Sequence, residues 1–112
     1  SPPTTVNDTV VVGGMVYDNL RRAAPPGVVR GYDVRTGERR WAFDPVPPGY
    51  AGPPPAEGSE FVAGTANSWS IASADESLDL VYVPMGNAAT DYFAASRFGL
   101  DHFSSSVVAL RG

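Results

Sequence analysis

The stretch Gly31-Tyr32-Asp33-Val34-Arg35-Thr36-Gly37-Glu38-Arg39-Arg40-Trp41 decides how this chain is read. Val28, Val29, Tyr32 and Val34 favour an extended strand, Arg35-Thr36-Gly37 supplies a turn, and Arg39 to Phe43 resumes a strand. Gly37 can take the positive φ that a tight hairpin turn requires, and the Asp33 carboxylate can cap that turn. Trp41 ends the motif with a large ring suited to packing against a neighbouring sheet.

Working outward, Thr9-Val10-Val11-Val12 and Met15-Val16-Tyr17 read as one strand bent around Gly13-Gly14 and ending near Asp18. Residues Asn19 to Gly27 form a loop, and Val28 to Val34 with Arg39 to Asp44 form the hairpin. The run 45–58 holds Pro47-Pro48 and Pro53-Pro54-Pro55 and cannot join a central ladder, so it is an extended surface excursion. Asn67 to Ala72 reads as a short strand, Ala74 to Leu78 as a turn, Leu80 to Pro84 as a strand, 91–103 as a long loop and Ser104 to Leu110 as a last strand. Short strands at this spacing favour an all-β radial or sandwich architecture.

Composition narrows the function classes. The 112 residues include 11 Pro and 12 Gly, which favours turns over helices, while a hydrophobic fraction of 43% is ordinary for a folded domain. A net charge of -4, with no basic cluster beyond Arg39-Arg40, argues against a nucleic-acid surface. No apolar run approaches the ~18 residues that span a bilayer. With no Cys there is neither a disulfide framework nor a thiolate metal site. Val107 to Gly112 resembles the opening of a second strand–turn–Trp repeat, so the sequence is expected to be a piece of a longer chain.

The 31–41 segment resembles the tryptophan-docking repeat of eight-bladed quinoprotein β-propellers, with Gly31 in place of the usual Ala. The likeness continues through Val12-Gly13-Gly14-Met15-Val16-Tyr17-Asp18-Asn19, Gly27-Val28-Val29-Arg30-Gly31-Tyr32-Asp33, Trp41-Ala42-Phe43-Asp44-Pro45, Asn67-Ser68-Trp69, Leu78-Asp79-Leu80-Val81-Tyr82-Val83-Pro84-Met85-Gly86-Asn87 and Ser104-Ser105-Ser106-Val107-Val108-Ala109-Leu110. Together these segments are similar to the membrane-bound glucose dehydrogenases that depend on pyrroloquinoline quinone (PQQ). The resemblance implies that residues 1–112 form part of a propeller domain, about one to two blades. It further implies a cofactor site holding PQQ beside Ca2+ or Mg2+, with Trp69 as the floor under the planar quinone and Asp18, Asn19 and Asn87 as oxygen donors to the cation. Calcium takes about 6–8 oxygens, so these donors would need cofactor oxygens to complete the shell. The general base and a cofactor-contacting lysine would lie downstream of Gly112, so no catalytic residue is assigned and the isolated piece is expected to be inactive.

The same resemblance implies oxidation of glucose or a related aldose at C1 to a lactone, with electrons passed to ubiquinone. It places the parent protein on the periplasmic side of the bacterial inner membrane. Polyol or quinate oxidation on the same scaffold is an open alternative, as is a noncatalytic propeller that serves as an interaction scaffold. Taken as residues alone, Asp18-Asn19 and Gly86-Asn87 are also good turn pairs, and Trp69 could be a core aromatic. His102, in a polar loop, is expected to face solvent or bond locally. Glu57, Glu60, Asp75, Glu76 and Asp79 are expected to be solvated. Open strand edges would let the isolated piece self-associate.

Overall fold

In a computed structural model, which describes residues 1–17 and 19–112, the chain forms two antiparallel sheets. The first is an up-and-down meander of β1 (Thr4–Val6), β2 (Thr9–Val12), β3 (Val29–Asp33) and β4 (Arg39–Phe43). The second contains β5 (Ser73–Asp75), β6 (Leu80–Pro84) and β7 (Val107–Arg111). The all-β expectation holds, and the four-stranded meander is the unit from which propellers are assembled.

The β3–β4 hairpin forms as its residues dictate. Asp33 Oδ1 accepts the Arg35 and Thr36 N–H groups at 2.8 and 2.9 Å, and Gly37 closes the turn at φ 74°. Its other oxygen accepts from Arg40 Nη2 at 2.5 Å. Gly31 pairs with Trp41 and Tyr32 with Arg39, which leaves Arg40 as the extra residue of a bulge. The bulge turns the Arg40 guanidinium back across the hairpin, where it also donates to the Thr9 hydroxyl of β2 at 2.9 Å. Three backbone and side-chain donors hold the Asp33 carboxyl far below the usual carboxylate range, the Thr36 N–H contributing most.

Gly31 accounts for its own departure from Ala. A Cβ there would lie 2.3 Å from Cε2 of the Trp41 ring, so the indole lies flat over the glycine. Trp41 packs against a core drawn from both sheets: Val6, Val11 and Val29 from the first, Val81 and Val83 from the second, with Ala66 and Met85. Each such valine, moved from water to the interior, contributes roughly 1.5–3 kcal/mol.

Five boundaries differ from the sequence reading. Ala74 and Asp75, read as the start of a turn, belong to β5 because they pair with Val81 and Leu80 of β6. The N-terminal lead contains a strand, β1, because Asn7 takes φ 47° and reverses the chain into β2. The strand read through Tyr17 stops at Val12, where its partner β3 runs out at Arg30 and Val29. Residues 67–72 form no strand; their polar groups bond to loops rather than to a ladder. The last strand begins at Val107, since Ser105 sits at φ 50° with its N–H turned to Gly86 O. Within 91–103, Ala94–Ser96 and Leu100–Phe103 are 3-10 turns.

Candidate functional site

The segment from Gly64 to Ser68 has no regular secondary structure, yet it is buried throughout. Its backbone is satisfied from both sides. Gly64 donates to Ala24 O and Ala89 donates to Gly64 O, both at 2.9 Å, while Gly86 donates to Asn67 O at 2.7 Å. Gly27 donates to the Thr65 hydroxyl at 2.7 Å, and a Cβ on Gly27 would fall 1.8 Å from Ala66 O. The segment is thus clamped between the β2–β3 loop and the β6–β7 loop, which fixes where the next residue, Trp69, emerges.

Trp69 is 57% exposed, unusual for an indole whose flanking segment is sealed. Its Nε1 edge lies over Gly86, where a Cβ would stand 3.1 Å away. The ring lines a cavity of about 310 Å³ together with Met15, Val16, Tyr17, Asn19 and Leu20. The structure therefore brings Trp69 and Asn19 to one concavity. Asn87 follows Gly86 directly but does not line that cavity. Asp18 lies outside the described residues.

Asn67, fully buried, ties these parts together. Its Oδ1 accepts from Val16 N–H and its Nδ2 donates to Asn87 O, each at 3.4 Å. The Asn87 side chain is fixed at both ends: Nδ2 donates to Asp91 Oδ1 at 2.6 Å, and Oδ1 accepts from the Ser105 hydroxyl at 2.8 Å. Behind it, buried Arg97 donates to Thr90 O at 3.1 Å, to Asp91 O and to Asp101 Oδ1. The sequence reading missed Asn67, Asp91 and Arg97 as site-building residues. The one available signal was the polar character of Asn67 beside Trp69, and nothing in sequence spacing shows that an asparagine is buried.

The remaining polar residues do local work. Arg39 pairs with Glu60 at 3.4 Å on the surface, and exposed His102 sets its ring against the edge of Phe103, centroids 4.6 Å apart. Asp75 caps its own turn through Ser77 and Leu78 N–H, and Asp79 Oδ1 accepts from Asn7. Burial pushes the Asp44 carboxyl upward, with the Val62 N–H, the Thr65 hydroxyl and Arg30 pulling the other way. Among the described residues, no three His, Cys, Asp or Glu side chains converge as a metal cluster.

The donors at hand fit a planar quinone better than they fit a cation alone. An exposed indole face beside Met15, Val16 and Leu20 suits a flat, extended ring system. Of the residues expected as cation donors, those described, Asn19 and Asn87, offer only amide oxygens, so a divalent ion would need a carboxylate and the cofactor's oxygens as well.

Residues 1–112 match the family model described as glucose/ethanol/alcohol dehydrogenase, beta-propeller domain, of the PQQ class. The chain belongs to this quinoprotein dehydrogenase family. It is 45% identical over 111 residues to the glycerol dehydrogenase large subunit of Gluconobacter oxydans, covering 98% of this chain and 15% of that one. It is 41% identical over 113 residues to the quinoprotein glucose dehydrogenase of Escherichia coli, covering 98% and 14%. The quinate/shikimate dehydrogenase (quinone) of Acinetobacter baylyi is 40% identical over the same length, again 98% and 14%. The chain thus spans about one-seventh of the length of these curated relatives. Among solved structures, a quinohemoprotein alcohol dehydrogenase from Pseudomonas putida HK5 superposes with a TM-score of 0.65 at 27% identity, over 97% of this chain and 17% of that one. The propeller expectation is met by the family, the fold and these neighbours together.

Proposed function

We propose that this quinoprotein segment forms part of the cofactor site of a PQQ-dependent dehydrogenase acting on a polyhydroxylated alcohol, with glucose oxidised at C1 as the first substrate to test. The observation that carries the reading is the exposed face of Trp69, held rigidly by a buried segment and opening onto the same cavity as Asn19. A scaffold protein has no need to spend an immobilised, half-exposed indole in this way.

When bound, PQQ supplies two-electron acceptance and a divalent cation, Ca2+ or Mg2+, supplies polarisation of its carbonyl. The chain's own contribution is positional. Trp69 offers the flat surface, Met15, Val16 and Leu20 keep water from one side, and Asn19, Asn87 and Asp18 provide oxygen donors for the cation. Transfer of electrons to ubiquinone on the periplasmic side of the inner membrane is proposed from the family resemblance, and the name of the Acinetobacter relative, which specifies a quinone, supports the acceptor class. A polyol substrate is the second reading, supported by the 45% identity to a glycerol dehydrogenase large subunit.

The test uses the full-length parent protein, reconstituted with PQQ and Ca2+ and assayed by dye reduction with glucose, glycerol and quinate. Activity with glucose, lost in Trp69→Ala and Asp18→Ala, is the expected result. Activity with glycerol or quinate alone would keep the cofactor assignment and replace the substrate. Failure of the intact protein to bind PQQ would overturn the proposal.

A further inference from the structure

We infer that Asp91 is a positioning residue that sets which end of the Asn87 amide faces a bound cation. This rests on the reading of Asn87 as a cation donor and adds a residue which that reading does not contain. The chemistry is one of complementarity. An ionised carboxylate can only accept hydrogen bonds, so Asp91 takes the Nδ2 end of Asn87, at 2.6 Å. The Ser105 hydroxyl donates to Oδ1 at 2.8 Å and selects the same orientation from the other side. An amide oxygen has two acceptor positions, so the bond from Ser105 leaves one for a cation. Were the amide reversed, its oxygen would face the carboxylate and its NH2 would face the metal, which repels it.

Asp91 can impose this choice because its own backbone is anchored. Arg97, 9% exposed, donates to Asp91 O, to Thr90 O and to the Asp101 carboxylate, so one guanidinium braces both ends of the loop. Asn67 Nδ2 on Asn87 O fixes the backbone of the donor residue itself. Outer partners of this kind commonly govern cation affinity by about 10–100-fold.

The test is a double-mutant cycle on Ca2+ affinity, measured calorimetrically with the full-length parent stripped of divalent ions and saturated with PQQ. Asp91→Ala should weaken Ca2+ binding by about 10-fold. Asp91→Asn should cost only about twofold, because two amides can pair in either orientation and half the population keeps the productive one. In an Asn87→Ala background, Asp91→Ala should have no further effect, since there is no amide left to orient. A general structural role would instead weaken binding equally in both backgrounds, which overturns the inference. Loss of affinity in Asn87→Ala with none in Asp91→Ala also overturns it while leaving Asn87 as a donor. Unchanged affinity in Asn87→Ala removes the donor reading and the inference with it. Should Asp91→Ala fail to fold, Asp91→Leu keeps the bulk without the acceptor and takes its place in the cycle.

Discussion

The two tryptophans sit in regions built on opposite principles. Trp41 ends a regular hairpin whose turn is closed by local bonds: Asp33 caps the turn, Gly37 supplies the φ, and the indole folds back over Gly31 ten residues earlier. Trp69 follows a segment with no ladder at all, held by loops from residues 13–27 and 86–89 that are distant in sequence. The first ring is partly buried against the core; the second is 57% exposed. The difference teaches that the regular hairpin is fixed by residues close to it in sequence, whereas the irregular buried segment, clamped by distant loops, presents a ring to the cavity.

That contrast can be broken most severely at Gly27. A Cβ there meets a backbone carbonyl at 1.8 Å, with no side chain able to yield, so Gly27→Ala should cost about 3 kcal/mol or more, or prevent folding of the parent protein. Gly31→Ala meets the Trp41 ring at 2.3 Å, and a ring can shift; about 1–2 kcal/mol is expected. Unfolding temperatures of the two variants should therefore separate clearly, and equal losses would mean that the irregular segment is no more tightly held than the hairpin.

Acid exposes the hairpin more gently. The Asp33 carboxyl is held low by the N–H groups of Thr36 and Arg35 and by Arg40, so its stabilisation is present above the ordinary carboxylate pKa of about 4 and drains away as pH falls below it. Asp33→Asn should lower the unfolding temperature at pH 7 and flatten the acid limb of a stability–pH curve. Asp44 has the opposite sign. Its carboxyl is raised by burial, so the folded state favours the protonated form and loses a little stability as pH rises through its pKa. Asp44→Asn can keep the bond from Val62 N–H, at 2.9 Å to Oδ2, and remove that loss. The change at pH 7 should be neutral or favourable by less than about 1 kcal/mol, the smallest of these effects.

The same contrast explains what could be read without coordinates. The hairpin was legible because Asp, Thr-Gly and Trp act on neighbours within a few residues, and its capping carboxylate and turn glycine sit where spacing puts them. β6 was legible from Leu80 to Pro84 for a similar reason, a β-branched run ended by proline. β1 was not, because its strand-forming turn depends on Asn7 at positive φ, which the Pro-rich lead obscures. Residues 67–72 looked like a strand because Trp, Ile and Ala can form one; only the contacts of Asn67 with Val16 and Asn87, 51 and 20 residues away, show why they do not. Of the site residues, Trp69 and Asn19 meet at one cavity, while Asn87 reaches that neighbourhood through Gly86 and Asn67. The bracing by Asp91 and Arg97 depends on a loop path that spacing does not encode.

The most direct measurement is a titration of the full-length apoprotein with PQQ in the presence of Ca2+, comparing wild type, Trp69→Ala and Trp41→Ala, with the unfolding temperature of each recorded before cofactor is added. Trp69→Ala is expected to lose quinone affinity by at least about tenfold, the scale of one lost aromatic stacking contact, and to keep its unfolding temperature. Trp41→Ala is expected to lower the unfolding temperature and to bind PQQ normally wherever it remains folded. Undiminished quinone binding by a folded Trp69→Ala protein would contradict the assignment of the exposed indole as the cofactor floor.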